Sequence, residues 1–297
     1  MRGTRQKIIC RVRGQRARLG SMERPFSQVD VFTDEPYFGN PVAVVMDAKG
    51  LSAEAMQRFA RWTNLSETTF ILPPEAPEAD YRVRIFTPSR ELPFAGHPTL
   101  GTCHAWLSGG GHPHRDDVIV QQCDAGLIEL RRDQGTLAFA APPLIRSGPV
   151  DDETLAHLVS VLGIDRADVV DAQWVDNGPG WVAVLLPSAD AVLAVRPTES
   201  DLDIGVVGPY PDGAPEAFEV RAFTPALGGF GEDPVTGSLN ASLAGWLLSS
   251  GRATAPYVAS QGTALGRRGR VRITTDPQGA IWVGGGTVTC LQGTANL

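Results

Sequence analysis

One signature is written twice in this chain, and a chain that repeats itself is constrained to fold as a repeated domain. Phe86-Thr87-Pro88 is followed nine and ten residues on by His97-Pro98, with Gly101 three further. Phe223-Thr224-Pro225 is followed at nearly the same spacing by Asp233-Pro234 and Gly237. Each copy then enters an Ala/Leu-rich stretch containing Trp-Leu, at Trp106-Leu107 and Trp246-Leu247, and ends in glycine, at Gly109 and Gly251. The offset is about 137 residues, and Val42-Ala43-Val44 returns as Val182-Ala183-Val184 at a similar offset. Self-similarity of this kind marks a duplication. It predicts two domains related by pseudo-symmetry that share one cleft, with His97 of the first copy answered by Asp233 of the second.

A chain of 297 residues accommodates two domains of about 130 to 140 residues each. The expected boundaries are a basic leader over 1–21, a first domain over 22–143 and a second over 144–297, with the last strand free to pair back onto the first domain. Pro142-Pro143 to Pro149 reads as the linker. The leader holds seven Lys/Arg and no Asp/Glu, which leaves 19 basic against 33 acidic residues for the remainder. An acidic body argues against nucleic acid or an anionic membrane as partner. The leader's apolar cluster, Ile8-Ile9-Cys10 with Val12, is too short for the core of an export signal, so residues 1–21 are expected to be a disordered tail, with Met22 as an alternative start. Cys10, Cys103, Cys123 and Cys290 form no Cys-x-x-Cys pair and are too sparse for a disulfide framework, which points to a reducing cytoplasm. No stretch approaches the roughly 18 apolar residues of a membrane span.

Short apolar or alternating runs predict strands at Gln28–Phe32, Val42–Met46, Thr68–Leu72, Tyr81–Phe86, Val118–Gln121, Gly126–Arg131 and Thr136–Phe139. Two helices interrupt them, Ser52–Trp62 with Ser52 as N-cap, and Pro98–Leu107. The second half repeats the plan, with strands at Trp181–Leu186, Ala217–Phe223, Arg270–Thr274 and Ile281–Val283 and a helix over Pro234–Ser249. Many strands around few helices predict an α+β class, a curled sheet or barrel wrapping one central helix, made twice.

Pro98 and Pro234 suit the first position of a helix, where the missing N–H costs nothing, and His97 and Asp233 then fall at or near the N-cap. If both helix starts face one cleft, their free N–H groups and positive dipole ends form a site for a carboxylate. Gly96 and Gly237 would let the backbone approach a ligand closely. Glu67 stands out separately: Asn64-Leu65-Ser66-Glu67-Thr68-Thr69-Phe70-Ile71-Leu72 places it on one strand face with Leu65, Thr69 and Ile71, where a carboxylate is costly to bury unless paired or functional. A solvated edge position is the competing reading. The equivalent place in the second half, Ile204-Gly205-Val206, has no acid, which favours a single-base site over a symmetric two-base one.

Four blocks, in order, closely resemble the PhzF family of phenazine biosynthesis: Gly39-Asn40-Pro41-Val42-Ala43-Val44, Asn64 to Phe70, Arg84 to Pro88 with Glu91 to Gly101, and Glu232-Asp233-Pro234-Val235-Thr236-Gly237-Ser238. The resemblance spans about Phe26 to the C-terminus. It implies the diaminopimelate epimerase-like fold, two similar domains each wrapping a sheet round a central helix, in a homodimer that needs no cofactor. It also implies an isomerase that moves a proton between two carbons of a small unsaturated cyclic amino or imino acid in secondary metabolism. The family's best-known case is trans-2,3-dihydro-3-hydroxyanthranilate. By the resemblance, Glu67 is the proton shuttle, His97 and Asp233 are the catalytic groups beside it, and Gly96, Gly237, Ser238 and Asn40 bind substrate. Whether the Glu67 pKa rises with burial or falls beside helix ends is open at this stage.

Other chemistries find less support. Two-thiol racemisation is excluded, because Ala95 precedes Gly96 and an acid, Asp233, stands where the second thiol would be. Cys103 falls inside a helix and reads as core, and Cys123 and Cys290 lie in strand context. His112-x-His114 lacks a further ligand set with zinc spacing, and Gly284-Gly285-Gly286 opens no helix, so it is no dinucleotide fingerprint. Arg267-Arg268-x-Arg270 reads as a solvated turn. The remaining alternatives are an inactive small-carboxylate-binding protein on the same fold and a non-thiol epimerase.

Overall fold

Val42-Ala43-Val44 and Val182-Ala183-Val184 are uninterrupted apolar runs too short for helices, the pattern of strands covered on both faces. Both become fully buried strands, each with a parallel neighbour. The computed structural model describes residues 22–133, 135–225 and 229–297, so the leader lies outside the described residues. The first half runs β1 (Glu23–Val31), β2 (Asn40–Val45), α1 (Ala53–Thr63), β3 (Glu67–Leu72), β4 (Tyr81–Phe86), β5 (Glu91–Leu92), α2 (Gly96–Ser108), β6 (Val118–Cys123), β7 (Gly126–Asp133) and β8 (Thr136–Ala140). The second runs β9 (Arg146–Pro149), α3 (Asp152–Leu162), β10 (Asp171–Asp176), β11 (Val182–Leu185), α4 (Ala189–Ala194), β12 (Ile204–Pro209), β13 (Phe218–Thr224), β14 (Gly231–Asp233), α5 (Gly237–Ser249), β15 (Tyr257–Gln261), β16 (Gly269–Thr275), β17 (Ile281–Gly285) and β18 (Thr287–Asn296).

The pairings repeat step for step. In the first half β1 is antiparallel to β2, β2 parallel to β3, β3 antiparallel to β4, β4 antiparallel to β5 and parallel to β6, and β6, β7 and β8 form a meander. The second half follows the same rule from β10 to β17. β8 and β17 pair and join the halves, while β18 returns to pair along the whole of β1. α1 and α4 are the crossovers that the two parallel pairs require.

α2 and α5 are the centres of this arrangement. α2 touches β1, β2, β3, β6, β8 and β18, and α5 touches β10, β16 and β17. Neither carries a polar face: Thr99, Leu100, Gly101, Thr102 and Cys103 of α2 are all buried, as are Leu239, Asn240, Ala241, Ser242 and Leu243 of α5. A helix buried all round must satisfy its polar groups internally. Thr102 accordingly donates to Thr69 Oγ1 at 2.8 Å, and Gln121 to Thr99 Oγ1 at 3.0 Å.

The helix boundaries correct the sequence reading. α1 behaves as expected, with Ser52 capping Ala55 N–H at 3.2 Å and Asn64 ending it in the left-handed conformation. α2 begins at Gly96, which makes Pro98 its third residue, and α5 begins at Gly237, which leaves Pro234 outside it. The two helices are each 13 residues long, so Gly96 matches Gly237 and His97 matches Ser238. Asp233 sits on β14, opposite Ala222, where the first half has Leu92 opposite Ile85. His97 and Asp233 are therefore not counterparts. The mismatch arises because the stretch between the Thr-Pro and the helix is longer in the second half, which shifts the His-Pro/Asp-Pro echo out of structural register. The reading of Pro142–Pro149 as pure linker also misses β9, which pairs with β10. Among the described residues α3 is a further element without a counterpart, though Asp151 as N-cap and Gly163 as left-handed C-cap mark it.

A deeper repeat is carried by charge. Arg84 Nε and Nη2 reach Glu91 at 2.6 Å each, and Arg221 Nε and Nη2 reach Glu232 at 3.0 and 2.7 Å. Each arginine also lies over the phenylalanine two residues on, Phe86 or Phe223. The same fork thus anchors β5 to β4 and β14 to β13, half exposed in one copy and buried in the other.

Candidate active site

Glu67 opens β3, which lies between α1 on one face and α2 on the other. Its alternation partner Thr69 accepts from Thr102 of α2, so Glu67 also faces the central helix. The register settles the asymmetry: Val42 pairs with Glu67 in the first half, and Val182 pairs with Ile204 in the second. Glu67 is no solvated edge residue, since its side chain is only 15% exposed and Oε2 stands 3.3 Å from His97 Nε2. Neither atom has an aligned hydrogen-bond partner, so both remain free to engage a ligand.

Asn40, at the start of β2, ties the acids and the imidazole together. Its amide nitrogen lies 3.4 Å from His97 Nδ1, donates to Asp233 Oδ1 at 3.1 Å and to the Val235 carbonyl at 2.8 Å. Asp233 also accepts from Thr236 Oγ1 at 2.5 Å and from Ser66 Oγ at 3.4 Å. The structure therefore brings Glu67, His97, Asp233 and Asn40 into one cluster, with three of them from the first half and Asp233 from the second.

The two central helices meet head to head beside this cluster. A Cβ placed on Gly237 would lie 3.2 Å from the His97 backbone nitrogen and 3.3 Å from Gly96 Cα, and one on Gly96 would lie 2.7 Å from Phe139 Cζ. A side chain at either position would have to push its neighbour aside, so glycine suits this close approach. Neither N-cap residue, Ala95 or Thr236, caps its helix with a side chain, because the Thr236 hydroxyl is spent on Asp233. Two sets of first-turn N–H groups and two positive dipole ends thus converge. Gly96→Ala should cost about 1–3 kcal/mol by overpacking against buried Phe139, to be read from denaturant midpoints against wild type.

Burial sets the electrostatics. Glu67 is pushed up to about 8, first by desolvation and then by the charge on Asp233. Desolvation holds His97 down at about 3, against a smaller opposing pull from the Pro41 carbonyl, so the imidazole is neutral. Asp233 is raised to about 6 by desolvation, offset in part by its bonds from Thr236, Asn40 and Ser66. The Glu67 shift, open from the sequence, is upward: burial and the Asp233 charge both raise it, and no cationic histidine is present to lower it. One carboxyl poised near neutrality, with a neutral imidazole in reach, can both take and return a proton.

Several residues of the site carried no sequence signal that was used. Gln261 accepts from Thr236 N at 3.0 Å and Asn240 Nδ2 at 2.8 Å and donates to the Asp233 carbonyl at 3.2 Å, bracing the turn between β14 and α5. Ser238 accepts from Trp181 Nε1 at 3.0 Å. The arginine cluster is the expected turn before a strand, with the Arg268 and Arg270 side chains open to solvent, but Arg267 does more: its Nη1 donates to the Tyr37 and Gly39 carbonyls at 3.2 and 3.0 Å, steadying the segment that leads into Asn40. Buried polar residues next to glycine-marked helix starts are the signal that could have found Gln261. Cys103 and Cys123 are buried in the core as expected. Among the described residues, His112 and His114 belong to no cluster that could hold a metal, and no helix is long and apolar enough to cross a membrane.

Comparison with known proteins identifies the family. The chain is 36% identical over 293 residues to antisense-enhancing sequence 1 of Schizosaccharomyces pombe, covering 91% of this chain and 98% of that protein. It is 37% identical over 252 residues to the trans-2,3-dihydro-3-hydroxyanthranilate isomerase of Pseudomonas fluorescens, covering 80% and 86%. The fold matches the crystal structure of a PhzF-family phenazine biosynthesis protein from Bacillus anthracis with a TM-score of 0.79 at 22% identity, over 93% of this chain and all of that one. The profile of the PhzC-PhzF family, phenazine biosynthesis-like proteins, matches residues 29–293. With a mixed α/β fold, a shared sequence and relatives named as isomerases over most of its length, the chain belongs to the PhzC-PhzF family and is a PhzF-family isomerase.

Proposed function

We propose that the protein shifts a carbon–carbon double bond in a small unsaturated cyclic amino or imino acid by proton transfer through Glu67, without a cofactor, in secondary metabolism. The reading assigns the diaminopimelate epimerase-like fold, two pseudo-symmetric domains whose shared cleft is the active site. The observation that carries it is Glu67 itself: a carboxyl with no repeat counterpart, largely buried, raised to about 8 and 3.3 Å from a neutral imidazole.

In this mechanism the substrate carboxylate sits against the N–H groups at the starts of α2 and α5. Ionised Glu67 removes a proton from one carbon. The C–H electron pair becomes a new C=C bond, the old π pair moves to the distal carbon, and that carbon takes the proton back from Glu67. The carboxylate is regenerated and nothing is oxidised or reduced. His97 and Asp233 hold and polarise the two partners. The low polarity that raises the Glu67 pKa makes it a stronger base once ionised, and with a pKa near 8 about one molecule in ten is ionised at pH 7. kcat/KM should therefore rise with pH along a limb centred near 8, since that ratio reports the free enzyme's essential base.

Incubation with candidate cyclic dienoic amino acids in deuterium oxide tests the proposal. The expected result is a double-bond shift with deuterium at the receiving carbon to the extent that Glu67 exchanges its proton with solvent between the two steps. Activity that needs added nucleotide, or that a metal chelator abolishes, would contradict the proposal.

A further inference from the structure

The second half holds a built loop against the start of α5. Asp176 Oδ1 accepts from the backbone N–H groups of Gly178 and Gly180, both at 2.7 Å. These glycines have φ of +141° and +105°, which other residues rarely adopt, and Pro179 stiffens the segment between them. The loop is thus fixed by its own chemistry. Its two flanking side chains both engage Ser238, the second residue of α5: Asn177 Nδ2 donates to the Ser238 carbonyl at 3.0 Å, and Trp181 Nε1 to Ser238 Oγ at 3.0 Å.

Two consequences follow for a ligand. Because the indole N–H occupies one lone pair of Ser238 Oγ, the hydroxyl's own proton is free to donate. Because the Asn177 nitrogen is committed to a carbonyl, its Oδ1 is left as an acceptor, and that atom is buried without a partner. Buried amide oxygens are nearly always satisfied, so an orphan held in a rigid loop is a strong pointer to something that donates to it. Asn40 Oδ1 is a second buried acceptor in the same state. Donors at the helix starts suit a carboxylate; orphan acceptors beside them suit N–H or O–H.

We infer that Asn177 is a specificity-determining residue that reads an N–H or O–H group carried beside the substrate's carboxylate. The enzyme thereby prefers amino- or hydroxy-substituted acids to plain ones. This rests on the proposed reading of the cleft as a carboxylate site. A site built to receive a donor discriminates against ligands that lack it, since its own polar group is then left unpaired.

The test is titration calorimetry with benzoate, 2-aminobenzoate and 2-methylbenzoate, which share a ring and a carboxylate. Wild type should bind 2-aminobenzoate about 10-fold or more tightly than benzoate. 2-Methylbenzoate, which has the amino group's bulk without its protons, should bind like benzoate. Asn177→Ala should bring the amino/plain ratio to within about twofold. Trp181→Phe should weaken both ligands yet keep the ratio, which separates loss of loop packing from loss of the acceptor. Glu67→Gln should also keep the ratio, so failure of the proton-transfer proposal would leave this result standing. The inference is overturned if Asn177→Ala retains the preference, if the methyl ligand binds as well as the amino one to wild type, or if none of the three binds.

Discussion

Glu67→Gln should lower turnover at least about 100-fold while leaving ligand binding largely intact, because the amide keeps the shape but cannot accept a proton. The same variant should be the more stable protein at alkaline pH. Folding raises the Glu67 pKa from 4.5 to about 8, so between those values the native state holds a proton that the unfolded chain has released. Stability contributed at this position therefore falls as pH climbs from about 4.5 to 8, and the full penalty applies above that window. Glutamine removes the penalty. The gain, absent at pH 4 and on the order of a few kcal/mol at pH 9, is measured by denaturant melts of both proteins at the two pH values. Near-normal turnover by the variant would falsify the shuttle assignment. Equal stability at pH 9 would show that Glu67 is not desolvated as described.

Glu232→Ala should destabilise the fold by about 3–5 kcal/mol, whereas Glu91→Ala should cost less than about 1 kcal/mol. The two pairs are the same fork in the two repeats, so the contrast isolates burial. Arg221 and Glu232 are 6% and 10% exposed, against 23% and 37% for Arg84 and Glu91. Removing Glu232 strands a buried guanidinium, whose remaining partners are the Val192 and Val195 carbonyls at 3.2 and 2.7 Å. Removing Glu91 leaves Arg84 near water. Urea midpoints at constant m-value decide the matter, and equal losses in the two variants would refute the argument from burial.

The duplication, many of the strands and the presence of a buried carboxylate at Glu67 were legible because each rests on a local cue: apolar runs for β2, β3, β4 and β11, and an acid placed in one of them. The helix register was not. The matching Pro98 and Pro234 suggested a shared first turn, but local proline chemistry says nothing about the loop length that moves Asp233 onto a strand. α3 was missed although its caps are visible, because the expectation of a strict repeat left no room for an added helix. β14 went unread because it is three residues long and carries two acids, and β18 because its partner β1 lies at the other end of the chain. At the site, Glu67, His97, Asp233 and Asn40 were found as residue types, while their mutual geometry, and the bracing by Gln261, Trp181 and Arg267, depend on contacts between segments far apart in sequence.

The return of β18 to β1 imposes an order on biosynthesis. Partners such as Val31 and Thr287, or Glu23 and Asn296, lie 256 to 273 residues apart, and at about 5–20 residues per second the ribosome needs on the order of 10 to 50 s to supply the second after the first. During that interval the emerging amino-terminal half has an unpaired strand edge along β1, the kind of surface that invites pairing with another nascent chain. Productive folding of this polypeptide is then a race between its own elongation and its neighbours on the same polysome. Slower translation should lengthen the exposure and shift the yield toward aggregates.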